Sequence, residues 1–149
     1  MSRAGYYGDG DGDALQYGQW RGQVASAIRG RRGQAFLREL REALDAMSEK
    51  RLAKAILVET AEVSAADGEP PVVRVNACAL GVVALRRGID TSRIDIEDYD
   101  NIHCPFGIAN AMAREIIYEN DESWPHPKSD EERWRKMRWW VEYYIRRDA

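Results

Sequence analysis

Three arginines crowd one short stretch of the sequence, RGRRG, which runs from Arg29 to Gly33. Its two glycines predict a turn, and the apolar spacing beyond it predicts a helix that begins at Gln34. Free N–H groups at a helix N-terminus attract anions, and arginine forks hold phosphate or carboxylate at two points. Arg29, Arg31 and Arg32 are therefore candidate ligands for a phosphate, a nucleic acid or an acidic protein. A solvated basic turn is the alternative interpretation.

A second candidate set lies in the C-terminal stretch RWRKMRWWVEYYIRR. One helical stripe of it is predicted to pack inside the fold or along a seam: Trp134, Met137, Trp140, Val141, and Tyr144 or Ile145. Trp139 falls on another face, which it shares by three- and four-residue spacing with Arg135, Glu142, Tyr143 and Arg146. Aromatic and arginine side chains are enriched at protein interfaces and also stack on single-stranded bases. We predict a binding face here, with self-association included, and plain packing is the alternative.

Four residues could serve as thiol, imidazole or metal-binding groups: Cys78, His103, Cys104 and His126. No C-x-x-C pair is present, and adjacent His103 and Cys104 cannot both turn easily toward one ion, so no metal is expected. A thiol enzyme would pair one cysteine with one histidine, although Cys78 lies in an apolar run typical of a buried thiol. No nucleotide-binding or hydrolase motif occurs in the sequence, so no cofactor is expected and an enzyme is not favoured.

Three aspartates alternate with glycines in residues 8–13, GDGDGD. They match the first, third and fifth positions of an EF-hand loop, which needs Gly at its sixth position and Glu at its twelfth. Ala14 and Trp20 occupy those two positions, so calcium binding is not predicted. Asp13 is instead expected to cap a helix that begins near Ala14. Residues 1–12 are predicted to form a flexible acidic arm.

The elements that must position these groups are mainly helical. We predict five or six helices in a single-core bundle, with one domain over residues 13–149 and a small two-stranded β-ribbon at about 57–77. Gly18 and Gly22, four residues apart, are expected to allow close approach of another backbone. The predicted helices run from Leu15 to Ile28, about 34 to 47, Ser48 onward, 78 to 87, 108 to 118, and Ser129 to about Arg147.

Charge is segregated along the 149 residues, although the net charge is only −3. Residues 15–54 carry +5, residues 59–101 carry −5, residues 115–132 carry −6 and residues 133–149 carry +4. Such blocks either face each other across the fold or form a two-signed surface that suits a charged protein partner. The longest uncharged run, residues 102–113, is too short and too broken to span a membrane, so no membrane partner is expected.

Several longer strings carry a resemblance: WRGQVASAIRGRRGQAFLREL, ACALG, FGIANAMAREIIYENDE and EERW. Together they resemble an uncharacterised family of small hypothetical proteins from tailed bacteriophages and prophages, for which no activity is assigned. The resemblance implies a phage-encoded accessory protein in the cytoplasm of a host bacterium, a compartment that two unpaired cysteines also favour. Such a protein is expected to bind a host protein or ribonucleoprotein complex, an inhibitor of anti-phage defence being one form of it.

Two other functions remain open from the sequence. A nucleic-acid-binding protein would use the RGRRG stretch together with the basic C-terminal helix. A helix–turn–helix reader fits poorly, because either choice of turn glycine places charged Arg29 where that motif needs an apolar or small residue. A thiol-dependent enzyme is the second alternative.

Overall fold

The computed structural model describes residues 14–147. Within that range lie five α-helices and one antiparallel pair of strands, as the sequence predicts, together with short 3₁₀ turns at Thr91–Arg93 and Cys104–Phe106. The acidic arm predicted for residues 1–12 lies outside the described range. In chain order the elements are α1 (Ala14–Arg29), α2 (Arg31–Asp45), β1 (Val58–Val63), β2 (Val72–Ala77), α3 (Ala79–Arg87), α4 (Asn110–Asp121) and α5 (Asp130–Tyr144).

The core is built around α2, which packs between α3 and α5, while α1 packs against α4. Leu37, Leu40 and Leu44 recur at three- and four-residue spacing and are completely buried. The stripe predicted for the C-terminal helix is inward as expected, with Met137, Trp140 and Val141 buried and Trp134 partly buried. No helix in the described range is both long and apolar enough to cross a bilayer.

Close backbone approach occurs at two glycines other than the predicted pair. A Cβ atom added at Gly18 or Gly22 would meet nothing within 4 Å among residues 14–147, so the described structure does not bear out the prediction for these two positions. At Gly33, on α2, an added Cβ would lie 2.0 Å from the Ala27 carbonyl oxygen of α1. At Gly81, on α3, it would lie 1.8 Å from the carbonyl oxygen of Leu57. Gly33 therefore sets how closely α2 approaches α1, and Gly81 sets how closely α3 approaches the chain before β1.

The helix predicted from Ser48 onward does not form. Residues 46–57 are irregular, and key backbone groups of this segment hydrogen-bond to distant elements instead of forming a helical ladder. The Leu52 N–H donates to the Asp130 carbonyl at 3.0 Å, and the Ala53 N–H donates to the Ala77 carbonyl at 2.8 Å. Ala55 has a positive φ of 66°, which a helix does not allow.

Asn120, a buried side chain at the end of α4, ties this irregular segment to α3. Its Oδ1 accepts from the Ala79 N–H at the start of α3 at 3.1 Å, and its Nδ2 donates to the Ala53 carbonyl at 3.0 Å. The next residue, Asp121, accepts from the Ala55 N–H at 3.1 Å. The pair therefore supplies the polar partners that a non-helical buried backbone requires.

One helix end differs from the sequence prediction and two agree with it. The Ser129 hydroxyl accepts from the Glu132 N–H at 3.1 Å and caps α5, so the predicted start of this helix is confirmed. The helix ends at Tyr144 rather than near Arg147, because Ile145 is extended. The predicted end of α3 is confirmed, since Gly88 has a positive φ of 70° and caps it.

A polar seam runs between α1, α4 and α5. Arg21 on α1 pairs with the buried carboxylate of Glu115 on α4 at 2.5 Å. One turn further, burial and then the neighbouring charge of Glu115 raise the pKa of the Glu119 carboxyl to about 7, against the opposing effect of Lys136. Glu119 therefore holds a proton in the folded protein at pH values where an unfolded chain releases it.

We expect Glu119→Gln to be more stable than the wild-type protein above neutral pH. The folded pKa is about 7 and the ordinary value is 4.5, so the wild-type free energy of unfolding falls as pH rises through this window. The neutral amide avoids that loss, which amounts to about 2 kcal/mol after allowance for partial exposure. Urea unfolding from pH 4 to 8 measures it, with the exposed Glu69→Gln as control. An unchanged pH dependence in Glu119→Gln would contradict the assignment.

Candidate functional site

The buried amide of Gln34 joins the ends of three helices. Its Nε2 donates to the Ile28 carbonyl in the last turn of α1 at 2.8 Å and to the Tyr144 carbonyl at the end of α5 at 3.0 Å. Its Oε1 accepts from the Arg146 N–H at 2.8 Å. The last turn of α1, the first turn of α2 and the C-terminal end of α5 therefore meet at one place.

This junction brings together the ends of the helices that carry the two predicted candidate sets. Arg29 is the last residue of α1, and Arg31 lies one turn before Gln34 on α2. One turn after Gln34, the guanidinium of Arg38 donates to the carbonyl of Arg146 at 2.9 Å. We call the combined region the basic–aromatic surface; its members are Arg29, Arg31, Arg38, Arg135, Trp139, Tyr143, Arg146 and Arg147.

The aromatic part of this surface is a stacked pair on α5. The rings of Trp139 and Tyr143 lie 5.2 Å apart, centroid to centroid, with an angle of 20° between their planes. Their exposed fractions are 64% and 66%, which confirms that Trp139 does not belong to the core stripe. Arg135, one turn before Trp139, is also exposed. Two large aromatic rings thus stand in solvent beside arginines.

Two acids of α2 are neutralised by pairing. Arg87 donates to the Glu39 carboxylate at 2.6 and 2.7 Å, and Arg138 donates to the Asp45 carboxylate at 2.7 and 3.1 Å. These hydrogen bonds, supported by the guanidinium charges, hold the pKa of each carboxyl below its ordinary value.

Glu142, which precedes Tyr143 on α5, is also paired with arginines. Glu142 accepts hydrogen bonds from Arg41 at 3.1 Å and from Arg138 at 3.0 Å, and these lower the pKa of its carboxyl. By contrast, Arg29, Arg31 and Arg135 form no ion pair with any residue from 14 to 147. Positive charge is therefore in excess on the basic–aromatic surface.

The RGRRG stretch has a different shape from the one predicted. Gly30 alone separates the two helices, and α2 begins at Arg31 rather than at Gln34. Gly33 is a packed helical residue and does not belong to a turn. Arg32 points away from the junction, because its Nη1 lies 3.5 Å from the Gly107 carbonyl oxygen before α4. The three arginines therefore do not form one cluster.

An open groove of about 630 Å³ lies on that other side, between α1 and the beginnings of α2 and α4. Arg31 and Arg32 both line it, and neither α2 nor α4 has a side-chain hydrogen bond at its N-cap. Arg31 thus stands at the corner between this groove and the basic–aromatic surface.

Cys78 and His126 do not form a catalytic pair. Cys78 is buried as the sequence predicts, and burial raises the pKa of its thiol to about 12, which keeps it protonated. His126 contacts the exposed ring of Trp124 at 5.1 Å. In the chain between residues 14 and 147, no three or more His, Cys, Asp or Glu side chains converge as a metal site would require.

The other cysteine has a histidine beside it. The Sγ atom of exposed Cys104 lies 3.6 Å from Nε2 of His103, and Nδ1 of that ring lies 3.3 Å from Nδ2 of Asn110. Asn110 also donates to the Tyr99 carbonyl at 2.7 Å and lies 3.3 Å from the Asp100 carbonyl. The arrangement has the residue types of a thiol triad.

No family model, no curated protein and no solved structure matches the chain. The function is therefore inferred from the chain's own surfaces. The sequence did not indicate three residues that contribute to the basic–aromatic surface. They are Arg38, Arg147 and Gln34, whose amide forms the junction. The only available signal was that Arg31, Gln34 and Arg38 recur at three- and four-residue spacing on α2.

Proposed function

We propose that the chain is a phage-encoded accessory protein that binds a host protein, alone or in a ribonucleoprotein complex, through the basic–aromatic surface. The observation that supports this function is the exposed Trp139–Tyr143 stack one helical turn after Arg135, an exposed arginine that forms no ion pair with any residue from 14 to 147. The phage origin follows from the sequence resemblance alone.

The chemistry of the surface defines its partner. Tryptophan, tyrosine and arginine supply most of the binding energy at protein interfaces when a pocket on the partner desolvates them. Arginines in excess speed the encounter with a negatively charged surface. The partner is therefore an acidic protein surface with an apolar recess for Trp139.

Trp139→Ala is expected to weaken capture of the partner by roughly 30-fold, since truncating an interface anchor costs about 2 kcal/mol or more. A tagged protein is used to capture partners from host lysate, with and without nuclease, and affinity is then measured on the band identified. Tyr17→Ala, which removes a half-exposed aromatic ring from α1, is the matched control. Equal binding by both variants, with unchanged circular dichroism, would refute the assignment of the surface.

Inhibition of host defence is the specific form of this function that we propose. A host that carries a defence system should become permissive to a sensitive phage when it produces the wild-type chain but not the Trp139→Ala variant. If both chains made the host equally permissive, inhibition of defence would not depend on the basic–aromatic surface.

A nucleic acid is the second candidate partner. One observation favours it, namely that the two basic blocks of the sequence meet at Gln34. Affinity would then fall steeply with salt, and replacing both Arg29 and Arg31 by alanine would reduce the slope of log affinity against log salt by about 2. A captured band that survives nuclease, with a shallow salt response, decides for the protein partner.

A further inference from the structure

The β-hairpin stands mostly in solvent although its strands are rich in valine. Val63, Val72, Val73 and Val75 have exposed fractions from 41% to 62%. Only the base of the hairpin is anchored, where Ala77 is buried. A two-stranded hairpin is marginally stable by itself, and further strands or a covering helix normally complete it.

The hydrogen bonds at the base show which backbone groups point outward. The Ala77 carbonyl accepts from the Ala53 N–H at 2.8 Å, and the Val75 carbonyl accepts from the Arg51 side chain at 3.4 Å. Val75 and Ala77 therefore face away from β1. In an antiparallel pair, directly opposite residues face the same way, inward or outward, in alternation. Val58 and Thr60, which lie opposite Ala77 and Val75, consequently face outward from the free edge of β1.

Glu62 completes this outward set, since it is two residues beyond Thr60 on the same strand. The N–H and C=O groups of Val58, Thr60 and Glu62 have no hydrogen-bond partner within residues 14–147. The outer edge of β2 is partly covered by Arg51 and Ala53, whereas β1 is open along its length. An open strand edge is a template for another strand.

We propose that β1 pairs antiparallel with β1 of a second copy of the chain, about a two-fold axis at Thr60, to form a continuous four-stranded sheet. In this register Thr60 lies opposite Thr60 of the second copy, and Val58 lies opposite Glu62 of the second copy. Each outward residue then meets another outward residue, and each such pair makes two backbone hydrogen bonds.

Charge and strand length distinguish this register from its two neighbours. An axis at Glu59 would place that carboxylate opposite its own copy, which is unfavourable. An axis at Ala61 would leave Val58 beyond the end of the opposing strand. With the axis at Thr60, Glu59 lies opposite Ala61 of the second copy. Arg74, the neighbour of Ala61 on β2, is then in the same row as Glu59 of the second copy. Opposite charges thus align across the new boundary.

The proposed dimer leaves the basic–aromatic surface out of its interface, so it does not depend on the proposed function. A dimer would present that surface twice, which strengthens binding to any partner with two copies of the target.

The first experiment measures the mass of the full chain by analytical ultracentrifugation at increasing concentration. We expect twice the 17.0 kDa of one chain for the wild-type protein and one chain for Thr60→Pro. Proline at Thr60 removes an outward N–H that β2 does not use, so the hairpin keeps its own ladder. Val73→Pro makes the equivalent change on the outer edge of β2 and should remain dimeric. A monomeric wild type, or a dimeric, folded Thr60→Pro, would overturn the proposal.

A cross-link tests the register even if Thr60→Pro unfolds the hairpin. Opposed residues in a hydrogen-bonded antiparallel pair have Cα atoms about 5.5 Å apart, within disulfide range. In a Cys104→Ser background, Thr60→Cys should therefore form covalent dimers on mild oxidation. Glu62→Cys should not, because it lies opposite Val58 of the second copy. Efficient cross-linking at Glu62 or Ala61, or none at Thr60, would refute the axis at Thr60.

Discussion

Gly81→Ala is expected to destabilise the protein by about 3 kcal/mol, with a fall in Tm of roughly 10 °C. The added methyl group would lie 1.8 Å from the Leu57 carbonyl oxygen and 2.8 Å from its carbon, so α3 and the chain leading into β1 must separate. Both neighbours are backbone atoms and cannot turn aside as a side chain would. The same Leu57 carbonyl accepts from the Cys78 N–H at 3.2 Å, and that hydrogen bond must be strained or lost as well.

The control for this substitution is Gly22→Ala on α1. In the part of the chain that the structure describes, nothing lies within 4 Å of a Cβ placed at Gly22, so the change there should be neutral or stabilising by up to about 1 kcal/mol through helix propensity. Both variants replace glycine by alanine inside a helix, so urea and thermal unfolding compare sterics alone. Equal stabilities would show that α3 is free to move away from Leu57.

Asn120→Ala is expected to lower the free energy of unfolding by about 3 kcal/mol, a loss similar to that of Gly81→Ala. The substitution removes the partners of the Ala79 N–H and the Ala53 carbonyl, both in buried residues. A buried polar group without a partner costs about 1–3 kcal/mol, whereas a typical exposed hydrogen bond contributes less. The irregular segment before β1 and the first turn of α3 should loosen together.

Hydrogen exchange and urea unfolding measure this effect. Asn101→Ala serves as control, since Asn101 is exposed and its amide bonds, within residues 14–147, only to Asp98; the change should alter stability by less than about 0.5 kcal/mol. Exchange should accelerate at Ala53 and Ala79 in Asn120→Ala and not in the control. Unchanged protection at both amides would mean that water replaces the lost side chain.

Local sequence pattern was sufficient for elements whose packing follows their own periodicity. Leu37, Leu40 and Leu44 on α2 predict a buried stripe, and the structure buries them completely. The hairpin was predictable because β-branched runs flank a dense cluster of turn residues. In both cases the information is contained within about a dozen neighbouring residues.

Features that depend on distant parts of the chain could not be predicted. The segment from Ser48 has helical composition, yet its N–H groups at Leu52 and Ala53 bond to Asp130 and Ala77. The glycines show the same limit. Gly22 and Gly33 are both helical, and only the position of another element makes Gly33 indispensable.

The candidate surface was predictable only in part, because some of its features are local to α5 and others depend on distant contacts. The exposure of Trp139 and Tyr143 follows from the phase of α5 relative to its apolar stripe. That the arginines near Arg29 would lie beside this helix depends on Gln34, whose hydrogen bonds join residues more than a hundred positions apart. A single glutamine carries no signal of that role.

The Gln34 junction also imposes an order of events during synthesis. Gln34 and Tyr144 are separated by 110 positions, so α2 leaves the ribosome long before α5 has been translated. The surface is therefore completed only once α5 has been made. A fragment that ends after α4 carries the arginines of α2 without the aromatic pair. Under the proposed function, such fragments should not compete with intact copies for the partner.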